Sequence, residues 1–319
     1  MIKFIDLFSG IGGFRLGFES IGANCVFSCD NDPHANETYQ KNFGINPFCD
    51  ITTLQSSDIP DHDILCAGFP CQSFSIGGYR KGFNDSRGIL FFDIARIIKD
   101  KKPKAFLLEN VQGILTQDKG QTIETIRTIL DELGYNTFES CEQCTNYGLP
   151  QNRKRWFCVG FRRDLSINNF KFPPKNNLSI GVSDMLEDNV TGHEPTDTAW
   201  SHIQKHYKNY KTTHSLDNYL KTEKQKITLA WEIRPSKCGI RDNNISPCLT
   251  AKMGTGGNNV PVIIELKRKF TTRECLRLMG FPDSFQIKEN SYQSYKQIGN
   301  SVPVPMIKQI GKIMLTHIQ

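Results

Sequence analysis

A chain of 319 residues has room for one large core and a smaller second domain. Its 38% hydrophobic and 23% charged content is that of an ordinary soluble globular protein, and a net charge of +6 permits an anionic partner without demanding one. No apolar run reaches membrane-spanning length and no basic, apolar and cleavable leader opens the chain, so a cytoplasmic protein away from membranes is expected. The 11 cysteines are odd in number and scattered, which points to reduced thiols. Cys141-x-x-Cys144 stands alone, without a second pair at zinc spacing, and no metal site is read from it.

Taken in order, residues 3–8 predict a first strand, Ser9-Gly10-Ile11-Gly12-Gly13 a tight turn, and residues 14–20 the start of a helix. Glycines at such a turn let a ligand approach the backbone at a helix N-terminus. The pattern departs from the dinucleotide fingerprint, because Arg15 stands where a third glycine belongs. Residues 24–29 read as a second strand ending at Asp30-Asn31-Asp32, a carboxylate position suited either to ribose hydroxyls or to capping a helix over residues 33–42. Asp50-Ile51 follows as a loop acid. Residues 63–70 form an apolar run that ends in Gly68-Phe69-Pro70, with Cys71 at its mouth. That placement keeps a nucleophile in play against the plainer reading of a small buried side chain.

The glycine-rich polar segment 77–88 suggests a loop over a site, and residues 89–99 a helix. Residues 103–111 read as a buried strand carrying Glu109 near its end, and a buried carboxylate implies a site. Residues 120–133 show the apolar spacing of an amphipathic helix, which core packing explains. A loop then enters a strand at residues 147–160, where alternation would put Arg153 and Arg155 on one side. After residue 164 the strand–helix rhythm fades. Residues 175–269 carry 14 Lys and Arg against 10 Asp and Glu, and the stretch 165–270 reads as a smaller, loop-rich recognition domain. Regular pattern returns with a Thr-capped helix over residues 271–282 and a last helix from Met306.

Several blocks, in order, resemble the DNA (cytosine-5)-methyltransferases of bacterial modification systems. They are Asp6-Leu7-Phe8-Ser9-Gly10-Ile11-Gly12-Gly13, Gly68-Phe69-Pro70-Cys71-Gln72-Ser73-Phe74-Ser75, Arg87-Gly88-Ile89-Leu90-Phe91-Phe92 and Glu109-Asn110-Val111. To these are added Gln151-Asn152-Arg153-Lys154-Arg155, Arg273-Glu274 through Gly280-Phe281-Pro282-Asp283, and Gln297-Ile298-Gly299-Asn300-Ser301-Val302-Pro303. The resemblance covers nearly the whole chain apart from residues 165–245.

It implies an α/β fold: a Rossmann-like S-adenosylmethionine-dependent methyltransferase domain with a smaller loop-rich target-recognition domain. The expected boundaries are 1–164 for the catalytic and cofactor-binding domain, 165–270 for target recognition, and 271–319 for a segment completing the catalytic domain. By the same resemblance, S-adenosyl-L-methionine would rest on the turn of Phe8, Gly10 and Gly12, with its adenine near Phe8 and Ile51, its ribose on Asp30, and Asn31 beside it. Asp50, Ile51, Leu90, Asn300 and Val302 would complete the pocket. Family members commonly carry Glu and a bulky aromatic where this chain has Asp30-Asn31.

The resemblance also assigns the chemistry. Cys71 would add to C6 of a cytosine, Glu109 would hold the base at N3 and its amino group, Arg155 would bind O2, and Arg153 would position the base or the thiolate. Pro70, Gln72, Ser73 and Thr250 would face the substrate, and the loop 73–88 would close over the flipped base. Gly77 and Gly78 offer no side chain to fill the vacated stack, so the recognition domain is expected to do so. The implied partners are double-stranded DNA and, functionally, a restriction endonuclease of the same site specificity, with the enzyme acting as a monomer. An RNA methyltransferase of similar fold is the first rival, disfavoured by the large recognition segment. A DNA-binding protein without activity is disfavoured by the joint presence of Cys71, Glu109, Arg153 and Arg155. A nicotinamide enzyme is disfavoured by the missing glycine.

Overall fold

The computed structural model describes residues 1–70, 90–213, 227–256, 258–289 and 291–318. The chain divides into two compact units, Met1–Gln143 with Lys154–Lys175 and Val302–Gln319, and Cys144–Arg153 with Asn176–Ser301.

In the first unit, β1 (Lys3–Leu7), β2 (Asn24–Cys29), β3 (Ile64–Gly68) and β4 (Ala105–Val111) run parallel; β1, β3 and β4 are buried almost throughout, while β2, at the sheet edge, is half-buried. Parallel neighbours require crossovers. Helices supply them: α1 (Gly13–Glu19), α2 (Pro33–Phe43) and α3 (Leu90–Lys101). After α4 (Gln121–Glu132), the strands β5 (Tyr135–Gln143) and β6 (Lys154–Arg162) complete a sheet in the order β2-β1-β3-β4-β6-β5, with β6 antiparallel to both neighbours. The carboxyl ends of β1 to β4 therefore share one edge, and the loops leaving that edge carry the candidate residues. β5 is absent from the sequence reading because it is an edge strand of Asn, Thr, Glu and Ser that buries little.

Local chemistry explains the helix ends. Asp32 caps α2 by accepting the His34 and Ala35 N–H groups, and Gly44 at φ 75° ends it. The stripe Ile123, Ile126, Ile129 and Leu130 on α4 is buried, as the spacing predicts.

The chain closes the first unit with the helix that ends at Ile318. A Cβ on Gly17 of α1 would lie 2.6 Å from Ile307 Cγ2, and one on Gly13 would lie 2.7 Å from Val302 Cγ2. Only glycine lets these segments approach so closely.

In the second unit the faded rhythm hides regular structure. α5 (Asp197–Thr213) is a 17-residue helix. β7 (Leu229–Trp231), β8 (Gly239–Arg241), β9 (Val262–Ile263) and β10 (Arg268–Lys269) form an antiparallel sheet in the order β10-β9-β7-β8. Ala199 and Ile203 of the helix pack with Ala230, Ile233 and Val262. Strands of two or three residues are too short to show alternation, and the helix is mostly polar.

α6 (Thr272–Leu278) begins with a capping box, Thr271 Oγ1 accepting the Glu274 N–H while Glu274 accepts the Thr271 N–H. The same fully buried carboxylate takes two bonds from Arg268, at 2.6 and 2.9 Å, and the Glu187 N–H. α7 (Tyr292–Asn300) follows, and α8 (Val304–Ile318) is the closing helix. Glu274→Ala leaves Arg268 buried without its counter-charge, so chemical denaturation should show the second unit losing about 3–5 kcal/mol.

Candidate active site

The first candidate region is the turn after β1. Phe8 takes a left-handed conformation at φ 58°, and Gly10 and Gly12 follow at φ 53° and 87°. The Ser9 N–H donates to Cys29 O and the Gly12 N–H to Ser9 O, tying the turn to the end of β2. Asp30 completes the tie: its Oδ2 accepts the Gly10 N–H at 2.8 Å and its Oδ1 the Asp32 N–H at 2.8 Å. Burial pushes the Asp30 carboxyl up, opposed by these two N–H groups. With about four acceptor sites, the carboxylate keeps room for a further donor.

A Cβ on Gly10 would meet nothing within 4 Å, so the turn is open on that side, whereas one on Gly12 would strike the Phe43 ring at 2.3 Å. Ser9 Oγ is buried without a hydrogen-bond partner among the described residues. An open glycine turn, an orphaned hydroxyl and a carboxylate with spare lone pairs suit the polar half of a nucleoside cofactor.

Ile51 is buried, and Phe8 and Leu90 pack against the same core cluster. Arg96 holds the loop through the Ile51 carbonyl at 3.0 Å. Asp50 is exposed; its carboxyl is held below its ordinary range by the hydroxyl and N–H of Thr52. Asn31 is exposed.

The second region is the paired ends of β3 and β4. Gly68 stands opposite Glu109 in the parallel register. A Cβ on Gly68 would lie 3.3 Å from Glu109 Oε2, so the glycine leaves the carboxylate its space. β6 pairs Val111 with Arg155, which puts Arg155 two positions from Glu109 on the same face. Arg155 Nε meets Glu109 Oε1 at 3.0 Å, with both side chains about a tenth exposed (11% and 10%). Asn110, buried, donates from Nδ2 to the Phe69 carbonyl at 2.9 Å and accepts the Val111 N–H. The last described residue before the nucleophile position is Pro70, exposed beside that anchor. Cys71, Gln72, Ser73, Gly77 and Gly78 lie outside the described residues.

The third group belongs to the second unit. Arg153 precedes β6, which begins at Lys154, so strand alternation does not place it beside Arg155. It is 2% exposed. Its Nη1 donates to Leu249 O at 2.6 Å and Gly299 O at 3.2 Å, and its Nη2 to Ser301 O at 2.7 Å. The guanidinium thus fastens the segments bearing Thr250 and Asn300, both exposed. A Cβ on Gly299 would lie 2.1 Å from the Thr250 carbonyl carbon, so those segments touch backbone to backbone. Gln151 reinforces them from Nε2 to Leu278 O and through the Leu249 N–H. Val302 belongs to the first unit, against Gly13.

Two residues escape the sequence reading. Asn110 is one, and its signal was its place directly after Glu109. Asp6 is the other: fully buried on β1 opposite Ser28, it has no hydrogen bond of good geometry to either oxygen. Burial pushes its carboxyl well up, aided by the Asp30 charge, while the Arg15 guanidinium and backbone N–H pull it down less strongly. Beside it Ser28 joins Tyr39 at 2.6 Å, Tyr39 accepts from Arg15, and burial raises the Cys25 thiol to about 11.

A carboxyl raised in the folded state adds stability that is complete below its unfolded value and lost as pH rises through the folded one. Asp6→Asn should therefore melt higher than the parent near about pH 8, the gap closing toward about pH 4 in a pH series of thermal midpoints.

With this geometry in view, comparison with known proteins is direct. The family model for C-5 cytosine-specific DNA methylases matches residues 2–316. Type II methyltransferase M.HhaI of Haemophilus parahaemolyticus is 40% identical over 315 residues, covering 97% of this chain and 93% of that protein. Type II methyltransferase M.NgoBI of Neisseria gonorrhoeae is 41% identical over 318 residues, covering 98% and 93%. The solved Dnmt2 methyltransferase of S. pombe superposes with a TM-score of 0.72 at 24% identity over all of both chains, a likeness of fold. The chain belongs to the C-5 cytosine-specific DNA methylase family. It is thus an S-adenosylmethionine-dependent DNA (cytosine-5-)-methyltransferase. No helix among the described residues is long and apolar enough to cross a membrane.

Proposed function

We propose that this enzyme flips a cytosine out of a specific duplex DNA site and methylates it at C5 with Cys71 as nucleophile, marking DNA against a restriction endonuclease of the same specificity. The observation that carries this reading is the Gly68–Glu109 register with Arg155 on Glu109, at the strand end that leads through Pro70 into Cys71.

Cytosine C5 is a poor nucleophile on its own. Addition of the Cys71 thiolate to C6 opens the C5–C6 double bond and moves its electron pair onto C5 and the conjugated N3. Glu109, carrying a proton at that stage, donates it toward N3 and accepts from the 4-amino group, which steadies that charge. Arg155 fixes the Glu109 carboxyl by its ion pair and keeps N–H donors for O2. S-adenosylmethionine, which the Gly10 turn would hold with Asp30 at its ribose, would supply the sulfonium methyl group to C5 and leave as the neutral thioether S-adenosylhomocysteine. A base then removes the C5 proton, the electron pair restores the double bond, and the carbon–sulfur bond breaks to return Cys71 and release 5-methylcytosine. Asn110 and Arg153 act as positioning residues, the first on the Phe69 carbonyl and the second on the segments of Thr250 and Asn300.

The base is out of reach within a duplex, and extruding it costs roughly a few kcal/mol. The second unit is the part of the chain left to read the site and to fill the vacated stack, since Gly77 and Gly78 bring no side chain.

Bisulfite sequencing of DNA from cells making the protein should show protected cytosines at one short site. Cys71→Ser should abolish the protection. Glu109→Gln should lower kcat about 100- to 10,000-fold. Transfer of labelled methyl to tRNA and not to DNA would overturn the reading.

A further inference from the structure

We infer that Phe48 forms the outer aromatic wall of the adenosine half of the cofactor site. It is the most exposed phenylalanine among the described residues, at 65%, although the prolyl residue before it is buried and Cys49 after it is half-buried. Its ring has no ring contact among the described residues, so packing does not account for its place.

Backbone pairing fixes where the ring stands. The Asp30 N–H donates to Pro47 O at 3.0 Å and the Cys49 N–H to Asp30 O at 3.0 Å, which sets Asp30 and Phe48 opposite each other in a parallel bridge. Residues paired in this way send their side chains to the same face. The Asp30 carboxylate on that face holds the Gly10 N–H, so Phe48 flanks the glycine turn. Asn46 Oδ1 accepts the Phe48 N–H at 3.0 Å and steadies the backbone beneath the ring. Asp50 and the buried Ile51 follow within three residues.

The chemistry of the ligand explains why an aromatic belongs there. Adenine is a flat, largely apolar ring with two faces to cover. Ile51 and the core-packed Phe8 can serve an inner face, which leaves the outer one to water. Asn31, exposed on the other side of Asp30, has no ring to offer. Phe48 does, and stacking a base on an aromatic side chain is favourable whatever its sequence context. The inference rests on the reading of the Gly10–Asp30 turn as the S-adenosylmethionine site.

The test uses calorimetric titration of S-adenosylmethionine and S-adenosylhomocysteine into the full chain and its Phe48→Ala and Phe48→Trp variants. Phe48→Ala should bind both ligands about tenfold more weakly, with the ligand-free melting midpoint unchanged because the ring is exposed. Phe48→Trp should retain affinity, and its emission should be quenched by S-adenosylhomocysteine beyond the change seen in the parent. Affinity of Phe48→Ala within about twofold of the parent, or no added quenching in Phe48→Trp, would overturn the inference alone. So would a loss of DNA binding in Phe48→Ala with cofactor affinity intact. Failure of the parent itself to bind either ligand would overturn the underlying site assignment instead.

Discussion

The pairing of β3 with β4 is the constraint on which the chemistry depends. Opposing Gly68 to Glu109 puts a strand end that leads to a thiol beside a strand that bears a carboxylate. A loop could not set the Glu109 carboxylate there with comparable rigidity, because loops are the mobile part of a domain and strands the fixed part. The register then recruits its neighbours. β6, antiparallel on the far side of β4, delivers Arg155 to Glu109, and Asn110 ties the Phe69 carbonyl to the same strand. A one-residue slip would turn Glu109 to the opposite face and leave Arg155 facing a different residue.

The Gly10–Gly12 turn follows a different logic. β1 and β2 end side by side, and the link between their loops is polar: Gly10 to Asp30 and Ser9 to Cys29. Behind that link lies an ionisable group in the core. Asp6 sits where a strand of this kind usually carries a hydrophobe, and Arg15, Tyr39 and Ser28 gather around it. The first unit therefore accepts an electrostatic penalty beneath the open Gly10–Gly12 turn, as candidate functional sites often do.

How far the sequence foretold this depends on how local each feature is. The glycine turn, an acid cap within Asp30-Asn31-Asp32, the α4 stripe and the Thr cap of α6 are settled by residues within a few positions of one another and were legible; that Asp32 is the capping acid and that Glu274 closes a capping box came from the coordinates. Glu109 was legible because a carboxylate in an apolar run is conspicuous. The role of Arg153 was not: its partners are backbone carbonyls 96 to 148 residues away, and no side-chain pattern announces a carbonyl. β5 was missed because a half-buried edge strand carries polar residues at most positions, with Tyr135, Phe138 and Cys141 spaced three apart rather than in alternation. The long helix and short strands of the second unit were missed for want of periodicity, which two-residue strands cannot display. Phe48 passed unnoticed because its meaning comes from the bridge to Asp30 and from an exposure that only coordinates reveal.

The contact of Gly13 and Gly17 with Val302 and Ile307 joins segments almost 290 residues apart within one core. Such long closures are slow, because chain entropy must be lost before the contact rewards it. During synthesis, the helix after the Gly10–Gly12 turn emerges early and waits with one side uncovered until residues 302–318 have left the ribosome. The second unit is complete by Ser301 and can form first. A nascent chain would thus complete its second unit before its first is closed.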